Sequence, residues 1–201
     1  MTDSGPLPHR VIGIGASAGG IEALLVVLAA LPASFAHPIC VVLHIPPKGE
    51  DMLAQVLDRR CEVRVRTARD GEPLLAGHVH VAPPDRHLLV RGGSIALTAD
   101  PRENGVRPAI DPLLRSVATT CGPVAVAVVL SGALSDGALG ARAVAQAGGR
   151  VLIQDPDEAR VTSMPNRAIA EVGDAAEVRT AGAIGTELCR LARARLTGAG
   201  T

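Results

Sequence analysis

Three side chains of this 201-residue chain have the types that nucleophilic catalysis requires. They are Ser17, His44 and Asp136, which supply a hydroxyl, an imidazole and a carboxylate. A serine hydroxyl is a poor nucleophile until a base removes its proton, and a carboxylate can orient that base and stabilise its protonated form. The three residues are far apart in the sequence, so this chemistry depends on whether the fold brings them together.

The residues around Ser17, VIGIGASAGG, fit two different patterns. Gly13, Gly15 and Ala18 match GxGxxA, the phosphate-binding turn of dinucleotide-binding folds. Gly15, Ser17 and Gly19 match GxSxG, the turn that presents the nucleophile of many serine hydrolases. The small flanking residues predict a strained turn with room for an ester beside the hydroxyl.

The end of the second predicted strand decides between these two patterns. A dinucleotide site requires an acidic residue there, about 20 residues after the glycine-rich turn, to bind the ribose hydroxyls. That strand, ICVVLH, ends at His44 instead, and the next acidic residue is Glu50. The sequence therefore favours a nucleophile at Ser17 over a bound nucleotide.

Short runs of β-branched residues alternate with Ala- and Leu-rich helical runs along the chain. Fully apolar strands such as ICVVLH and VAVAVVLSG are typical of a parallel sheet that is covered on both faces. We therefore predict an α/β fold, a three-layer α/β/α sandwich with a mostly parallel central sheet, doubly wound and Rossmann-like. Because the carboxyl ends of parallel strands share one edge, Ser17, His44 and Asp136 are expected on the same rim.

Each of these residues also has a structural interpretation. Ser17 and Asp136 are good candidates for helix caps, and His44 could be a hydrogen-bonded buried histidine. In DPLLRSVATTCG, Asp111 is the expected N-cap of a helix with Pro112 at its first position. The functional interpretation is favoured because all three candidates fall on one predicted rim.

Composition excludes several classes of protein. Apolar residues make up 47% of the chain, which is far too many for a disordered protein, and the length suits one domain. Lys plus Arg equals Asp plus Glu, 20 against 20, so no net charge favours nucleic acid or an anionic membrane. Phe35 is the only aromatic residue, which excludes base stacking on an aromatic platform and any phenolic acid.

The remaining sequence features predict a cytoplasmic protein. The cysteines are widely spaced without CxxC, as expected for reduced thiols, and no apolar run is long enough to span a membrane. No signal peptide is visible at the N-terminus. We expect flexible ends over residues 1–9 and 198–201, with one catalytic domain over 10–197.

A set of motifs in order along residues 10 to 172 resembles one known family, the catalytic domain of CheB-type protein-glutamate methylesterases. Each motif alone is modest, but their order makes the set specific. The motifs are IGIGASAGGIEAL, VVLHIPP, DGEPLLAGHVHVAPPDRHLLV, RPAIDPLLRS, VVLSGALSDGALG and QDPDEARVTSMPNRAI.

This resemblance implies an α/β/α fold and the hydrolysis of glutamyl methyl esters on chemoreceptors, with release of methanol and deamidation of glutamine as a second reaction. The family's catalytic triad falls on Ser17, His44 and Asp136. Oxyanion-hole donors are expected from two backbone N–H groups, that of Ala18 by the logic of the turn and that of Ala133 by family analogy. The expected partner is a methylated chemoreceptor or a related signalling protein, and no cofactor or metal is expected.

The chain departs from the family's usual pattern around the site. Typical members carry an N-terminal receiver domain, whereas only 16 residues precede Ser17, so we expect a domain without one. Typical members have threonine after the nucleophile, Gln-His-Met around the base and Gly-Met-Gly-Asn before the acid. Here these positions hold Ala18, Leu43-His44-Ile45 and Gly132-Ala133-Leu134-Ser135. These changes alter the expected lining of the site, and therefore its substrate, more than the chemistry.

Three further residues are candidate substrate contacts. Arg107 and Asp111 flank the proline turn in NGVRPAID, where a structural ion pair or helix cap is the alternative. Met164 lies in a loop that the resemblance places near the pocket. His78 and His80 share one face of a predicted strand, but no acid or cysteine lies at ligand spacing, so metal binding is not expected.

A function from another class remains open beside the esterase. The chain could be a catalytically weak binding module of the same fold that docks on receptors or on a methyltransferase. The complete set of Ser17, His44 and Asp136 favours the enzyme.

Overall fold

The computed structural model describes residues 10–44 and 52–194. A seven-stranded sheet forms its centre, in the strand order β3-β4-β2-β1-β7-β8-β9, and every neighbouring pair is parallel. A separate antiparallel hairpin is formed by β5 and β6. The strands are β1 (Ile12–Ala16), β2 (Ile39–Leu43), β3 (Arg64–Thr67), β4 (His78–Val81), β5 (His87–Arg91), β6 (Ser94–Thr98), β7 (Val126–Val129), β8 (Arg150–Gln154) and β9 (Ala176–Arg179).

Helices cover both faces of the sheet and bury two apolar cores. Alternate residues of each central strand point to opposite faces, so one face holds Ile12 and Ile14 while the other holds Cys40 and Val42. Helices α1, α2 and α6 pack on the first core, and helices α3, α4 and α5 with the hairpin pack on the second. The helices are α1 (Gly20–Ala29), α2 (Leu53–Asp58), α3 (Ile110–Cys121), α4 (Ala138–Gln146), α5 (Ser163–Val172) and α6 (Ala181–Arg193).

This architecture is the predicted three-layer α/β/α sandwich, and the central sheet is parallel throughout. Because all seven strands run in the same direction, their carboxyl ends meet at one edge, as the prediction required for the three candidate residues. Strand β9 was not predicted. Its sequence, AEVR, is short and partly polar, because a strand at the edge of the sheet is only partly buried and does not need a run of apolar residues.

The start of helix α3 differs from the prediction. The helix begins at Ile110, and Ala109 occupies the N-cap position without a side-chain hydrogen bond, so Asp111 is the second helical residue and not the cap. The predicted flexible ends 1–9 and 198–201 lie outside the described residues.

The glycines of β1 allow helix α3 to approach the sheet closely. A Cβ atom added to Gly15 would lie 2.3 Å from Cγ2 of Ile110, and one added to Gly13 would lie 2.6 Å from Cδ2 of Leu114. Real Cβ atoms do not approach so closely, so a side chain at either position would require the contacting side chains of α3, or the helix itself, to shift. The two glycines of the GxGxxA pattern therefore serve helix packing, which removes the reason to assign them to phosphate.

No helix within the described residues is long and apolar enough to cross a membrane.

We expect Gly15→Ala to destabilise the fold by about 1–3 kcal/mol, because the added methyl group overpacks a rigid contact with the buried Ile110. Urea unfolding of the purified protein measures this change. The matched control is Gly182→Ala in α6, where an added Cβ would meet no heavy atom within 4 Å and the higher helix propensity of alanine stabilises by up to about 1 kcal/mol. Equal unfolding midpoints for the two variants would contradict this account of Gly15.

Candidate active site

Ser17 is the first residue after β1, at the carboxyl edge of the sheet. Its N–H donates to the carbonyl oxygen of Ser131, which follows the neighbouring strand β7, at 3.0 Å. Helix α1 begins three residues later with Gly19, at φ 71°, as its N-cap. Ser17 is therefore not the helix cap, and it is absent from the non-glycine residues with positive φ among those described. The left-handed residue of this turn is Gly19 and not the serine.

His44 follows β2, the other neighbour of β1, and connects the serine to a carboxylate. Its N–H donates to the carbonyl of Ala16 at 3.2 Å, which extends the parallel pairing by one residue past the strand end. The ring lies between two partners, with Nδ1 3.1 Å from Oγ of Ser17 and Nε2 2.8 Å from Oδ2 of Asp136. An ionised carboxylate can only accept, so the ring proton resides on Nε2 and Nδ1 is free to accept the proton of the serine.

Asp136 is only 2% exposed, and both of its oxygens are occupied. Besides His44, Oδ2 accepts the N–H of Ile110 at 2.7 Å, and Oδ1 accepts the N–H of Asp111 at 3.1 Å and the amide of Asn104 at 2.8 Å. Ile110 and Asp111 are the first two residues of α3, so Asp136 binds the positive end of that helix. It precedes α4 in sequence but does not cap it, since the N-cap of α4 is Gly137 without a side-chain bond.

A second buried aspartate, Asp111, binds the start of helix α4. Asp111, in the first turn of α3, accepts the N–H of Gly140 in the first turn of α4 at 2.7 Å. Asp136, which precedes α4, thus binds amides at the start of α3. Asp111, which lies in the first turn of α3, binds an amide at the start of α4. The amide nitrogen of Asn104 donates to both carboxylates, at 2.9 Å to Asp111 and 2.8 Å to Asp136. We refer to Asp111, Asp136 and Asn104 as the crossed cap.

The two buried carboxyl groups of the crossed cap differ in acidity. Burial alone would raise the pKa of Asp136, but the hydrogen bonds from His44, from two backbone N–H groups and from Asn104 outweigh it and hold that pKa below its ordinary value. Burial raises the pKa of Asp111, and the nearby charge of Asp136 raises it further, against the hydrogen bonds from Gly140 and Asn104. Asp136 is thus the carboxylate that stays ionised beside the imidazole.

In the part of the chain that the structure describes, backbone N–H groups without a protein acceptor occur in the serine turn and in the loop whose Gly132 lies next to Ser17. Among them are the N–H groups of the expected oxyanion donors, Ala18, directly after Ser17, and Ala133, in the loop between β7 and α4. Both residues are at least partly open to solvent. Unpaired N–H groups near a serine hydroxyl can stabilise a developing negative charge on a carbonyl oxygen.

Ser131 and Gln154 hold the serine turn, and sequence reasoning missed both. The Oγ of Ser131 donates to the carbonyl of Ala18 at 2.9 Å and accepts the N–H of Val161 at 3.0 Å. Its own N–H donates to Oε1 of the buried Gln154 at 2.8 Å. A polar residue at the end of an otherwise apolar strand, as in VAVAVVLSG and RVLIQD, was the available signal.

Each of the three candidate substrate contacts has partners within the protein. Arg107 donates to the carboxylate of Asp85 and to the carbonyls of Ala99 and Asp100, so its guanidinium holds neighbouring loops together. Asp111 is 1% exposed and both of its oxygens are bound within the crossed cap.

Met164 is fully buried, and its main-chain N–H donates to the carbonyl of Gly132. A Cβ on Gly132 would lie 2.2 Å from its sulfur and 2.9 Å from Cβ of Ser17. Met164 therefore lies beneath the loop next to the serine rather than on its open side.

His78 and His80 have separate protein partners. Nδ1 of His80 lies 2.8 Å from Oε1 of Glu72, and Nδ1 of His78 lies 3.0 Å from the carbonyl of Ala76. Within residues 10–44 and 52–194, no group of three or more His, Cys, Asp or Glu side chains is arranged to hold a metal ion.

An imidazole between a serine hydroxyl and a buried, ionised carboxylate, at the carboxyl edge of a doubly wound sheet, defines a serine-hydrolase type of site. The family model for CheB methylesterase matches residues 12–188, and the chain belongs to that family.

Similar proteins support this assignment in sequence and in structure. Protein-glutamate methylesterase/protein-glutamine glutaminase 4 of Myxococcus xanthus is 46% identical over 156 residues, which are 77% of this chain and 44% of the relative. The corresponding protein of a Nocardioides strain is 42% identical over 93% of this chain and 52% of the relative. The chain thus spans about half the length of these relatives. The crystal structure of the Thermotoga maritima CheB methylesterase catalytic domain matches with a TM-score of 0.86 and 34% identity, over 92% of this chain and all of that one.

We expect Asn104→Gly to lower the free energy of unfolding by about 1–3 kcal/mol at pH 7, because two buried carboxylates lose a shared donor while glycine tolerates the φ of 53° at this position. Without that donor the already raised pKa of Asp111 rises further. The resulting loss of unfolding free energy is complete at pH values above the folded-state pKa of Asp111, where its carboxyl group is ionised. The part of the loss that comes from Asp111 fades as the pH falls toward the unfolded value of about 3.9, because protonation removes the repulsion, whereas the part that comes from Asp136, whose pKa is lowered, remains.

Urea unfolding at pH 7 and at pH 4.5 measures the effect, with Asn104→Asp as the paired variant. Asn104→Asp keeps a residue type that tolerates the backbone angle but adds a third carboxyl group, so its loss at pH 7 should be the larger of the two. An Asn104→Gly loss that is the same at both pH values would show that the amide does not separate the two charges.

Proposed function

We propose that this chain is a serine esterase that hydrolyses glutamyl methyl esters on a chemoreceptor or related signalling protein, giving glutamate and methanol. The hydrogen-bonded series from Ser17 Oγ through His44 to Asp136 is the observation that carries the proposal. Membership of the CheB methylesterase family supports the substrate class, since similar proteins are named protein-glutamate methylesterases.

In the first half of the reaction, Nδ1 of His44 takes the proton of Ser17 as Oγ attacks the ester carbonyl. Asp136 stabilises the imidazolium through Nε2, and its lowered pKa keeps it ionised in this role. The N–H groups of Ala18 and Ala133 bind the oxyanion, and one such donor is typically worth about 3–4 kcal/mol in the transition state. The tetrahedral intermediate then collapses, the C–O bond to the methoxy group breaks, and His44 gives its proton to the departing methanol.

In the second half, water attacks the acyl-serine while His44 removes one of its protons. The second tetrahedral intermediate expels Oγ of Ser17, which regains the proton from His44, and the glutamic acid product leaves and gives its remaining proton to solvent. The same steps on a glutamine side chain would release ammonia, and similar proteins also carry the name protein-glutamine glutaminase. A cytoplasmic location is part of the proposal, and the four free cysteines fit a reducing compartment.

We expect Ser17→Ala to lower methanol release from a methylated chemoreceptor about 10⁴-fold or more, because the nucleophile is lost. The thermal midpoint should stay close to that of the wild type, since Ser17 is partly exposed and its backbone contact with Ser131 is kept. Release of radiolabelled methanol, measured beside circular dichroism, reports both quantities. Wild-type turnover by the alanine variant would show that Ser17 is not the nucleophile.

A fluorophosphonate probe distinguishes the esterase from a catalytically weak binding module of the same fold. The probe should label Ser17 in the wild type and leave Ser17→Ala unlabelled, because labelling requires an activated hydroxyl. Asp136→Asn should slow labelling by orders of magnitude, since the neutral amide favours the wrong tautomer of His44. Circular dichroism must accompany this variant because Asp136 also binds α3. A wild-type protein that reacts no faster than free serine would favour the binding module.

A further inference from the structure

Leu134 has a left-handed backbone conformation, with φ at 66°. Asp85 and Asn104 are the other non-glycine residues with positive φ in the described part of the chain. Both have the short polar side chains that tolerate this conformation, and both use them in hydrogen bonds. A leucine has no polar group to offset the steric conflict, so Leu134 is the strained member of the three.

Burial does not compensate for this strain. The side chain of Leu134 is 73% exposed, which is the highest value among the exposed large apolar residues that the structure describes. The next in order, Met52, is 54% exposed. Leu134 therefore gives the fold neither core packing nor a relaxed backbone, and residues kept under such conditions are concentrated at functional sites.

Hydrogen bonds on both sides fix the position of Leu134. Before it, Gly132 donates its N–H to the carbonyl of Val161 and accepts the N–H of Met164 with its own carbonyl. After it, Asp136 is held by the N-terminus of α3. The loop between these two anchors is short, so it presents Leu134 to solvent directly beside the N–H of Ala133.

We propose that Leu134 is a specificity-determining residue that contacts an apolar side chain of the protein segment bearing the methyl ester. This inference rests on the proposed function, because it requires a substrate whose chain continues beyond the ester. An exposed leucine next to Ala133, the oxyanion donor of the proposed function, is in a position to meet such a segment, and docking would bury its apolar surface. A small ester has no chain to reach it and gains nothing from this contact.

The test compares two substrates on three proteins. The substrates are a chemoreceptor cytoplasmic fragment with radiolabelled glutamyl methyl esters and p-nitrophenyl acetate, a small activated ester. We expect Leu134→Ala to lower the ratio of the kcat/KM for the methylated fragment to that for the small ester about tenfold, mainly through a higher KM for the fragment. Leu134→Gly should lower the ratio to the same extent while raising the thermal midpoint above that of Leu134→Ala, because glycine relieves the strain.

The matched control is Leu75→Ala, an exposed apolar residue just before the start of β4 at the opposite edge of the sheet. It should keep the wild-type ratio. Variants of Leu134 with the wild-type ratio, including any that lose activity on both substrates equally, would overturn the inference and show that Leu134 only shapes its loop. A wild type that cleaves the small ester but releases no methanol from the fragment would instead overturn the proposed function and the inference with it.

Discussion

The carboxylate of Asp136 at the N-terminus of α3 is the interaction on which the rest of the site depends. It joins a helix that packs on β1 to an imidazole that follows β2, and it does so while almost fully buried. Because Ile110 lies against Gly15, one residue before the end of β1, the place of α3 on the sheet also sets the place of the carboxylate relative to Ser17. The packing of α3 on the sheet therefore also fixes the relative positions of Ser17, His44 and Asp136.

The crossed cap explains how the fold maintains two carboxyl groups in its interior. Buried charges are costly unless they are paired and hydrogen-bonded, and here helix N-termini and one amide provide the donors. The same arrangement separates the two acids, because Asp136 collects enough donors to stay ionised while the pKa of Asp111 is raised. A structural device that joins α3 to α4 thus also sets the charge beside His44.

The site has a fixed inner side and an open outer side. On the inner side, Ser131 and Gln154 hold the serine turn, and Met164 fills the space beneath Gly132. On the outer side, Ala18 and Leu134 face solvent. This division suits the proposed chemistry on a large partner, since the reacting groups need a fixed geometry whereas recognition needs accessible surface.

The sequence by itself determined the parallel α/β fold and the shared edge on which Ser17, His44 and Asp136 lie. These follow from local information, namely continuous apolar strands, alternating helices and the residue that follows each strand. Only the tertiary structure decided that Gly13 and Gly15 allow α3 to pack closely on β1. The positive φ of the serine turn at Gly19 and the hydrogen bond from Gly140 of α4 to Asp111 of α3 were likewise decided there. It also decided that Asn104 bridges both acids and that Leu134 carries the strain. These features depend on contacts between segments that are distant in sequence, or on a backbone angle that the surrounding loop imposes. Such contacts and angles produce no periodic pattern of apolar residues from which they could be predicted.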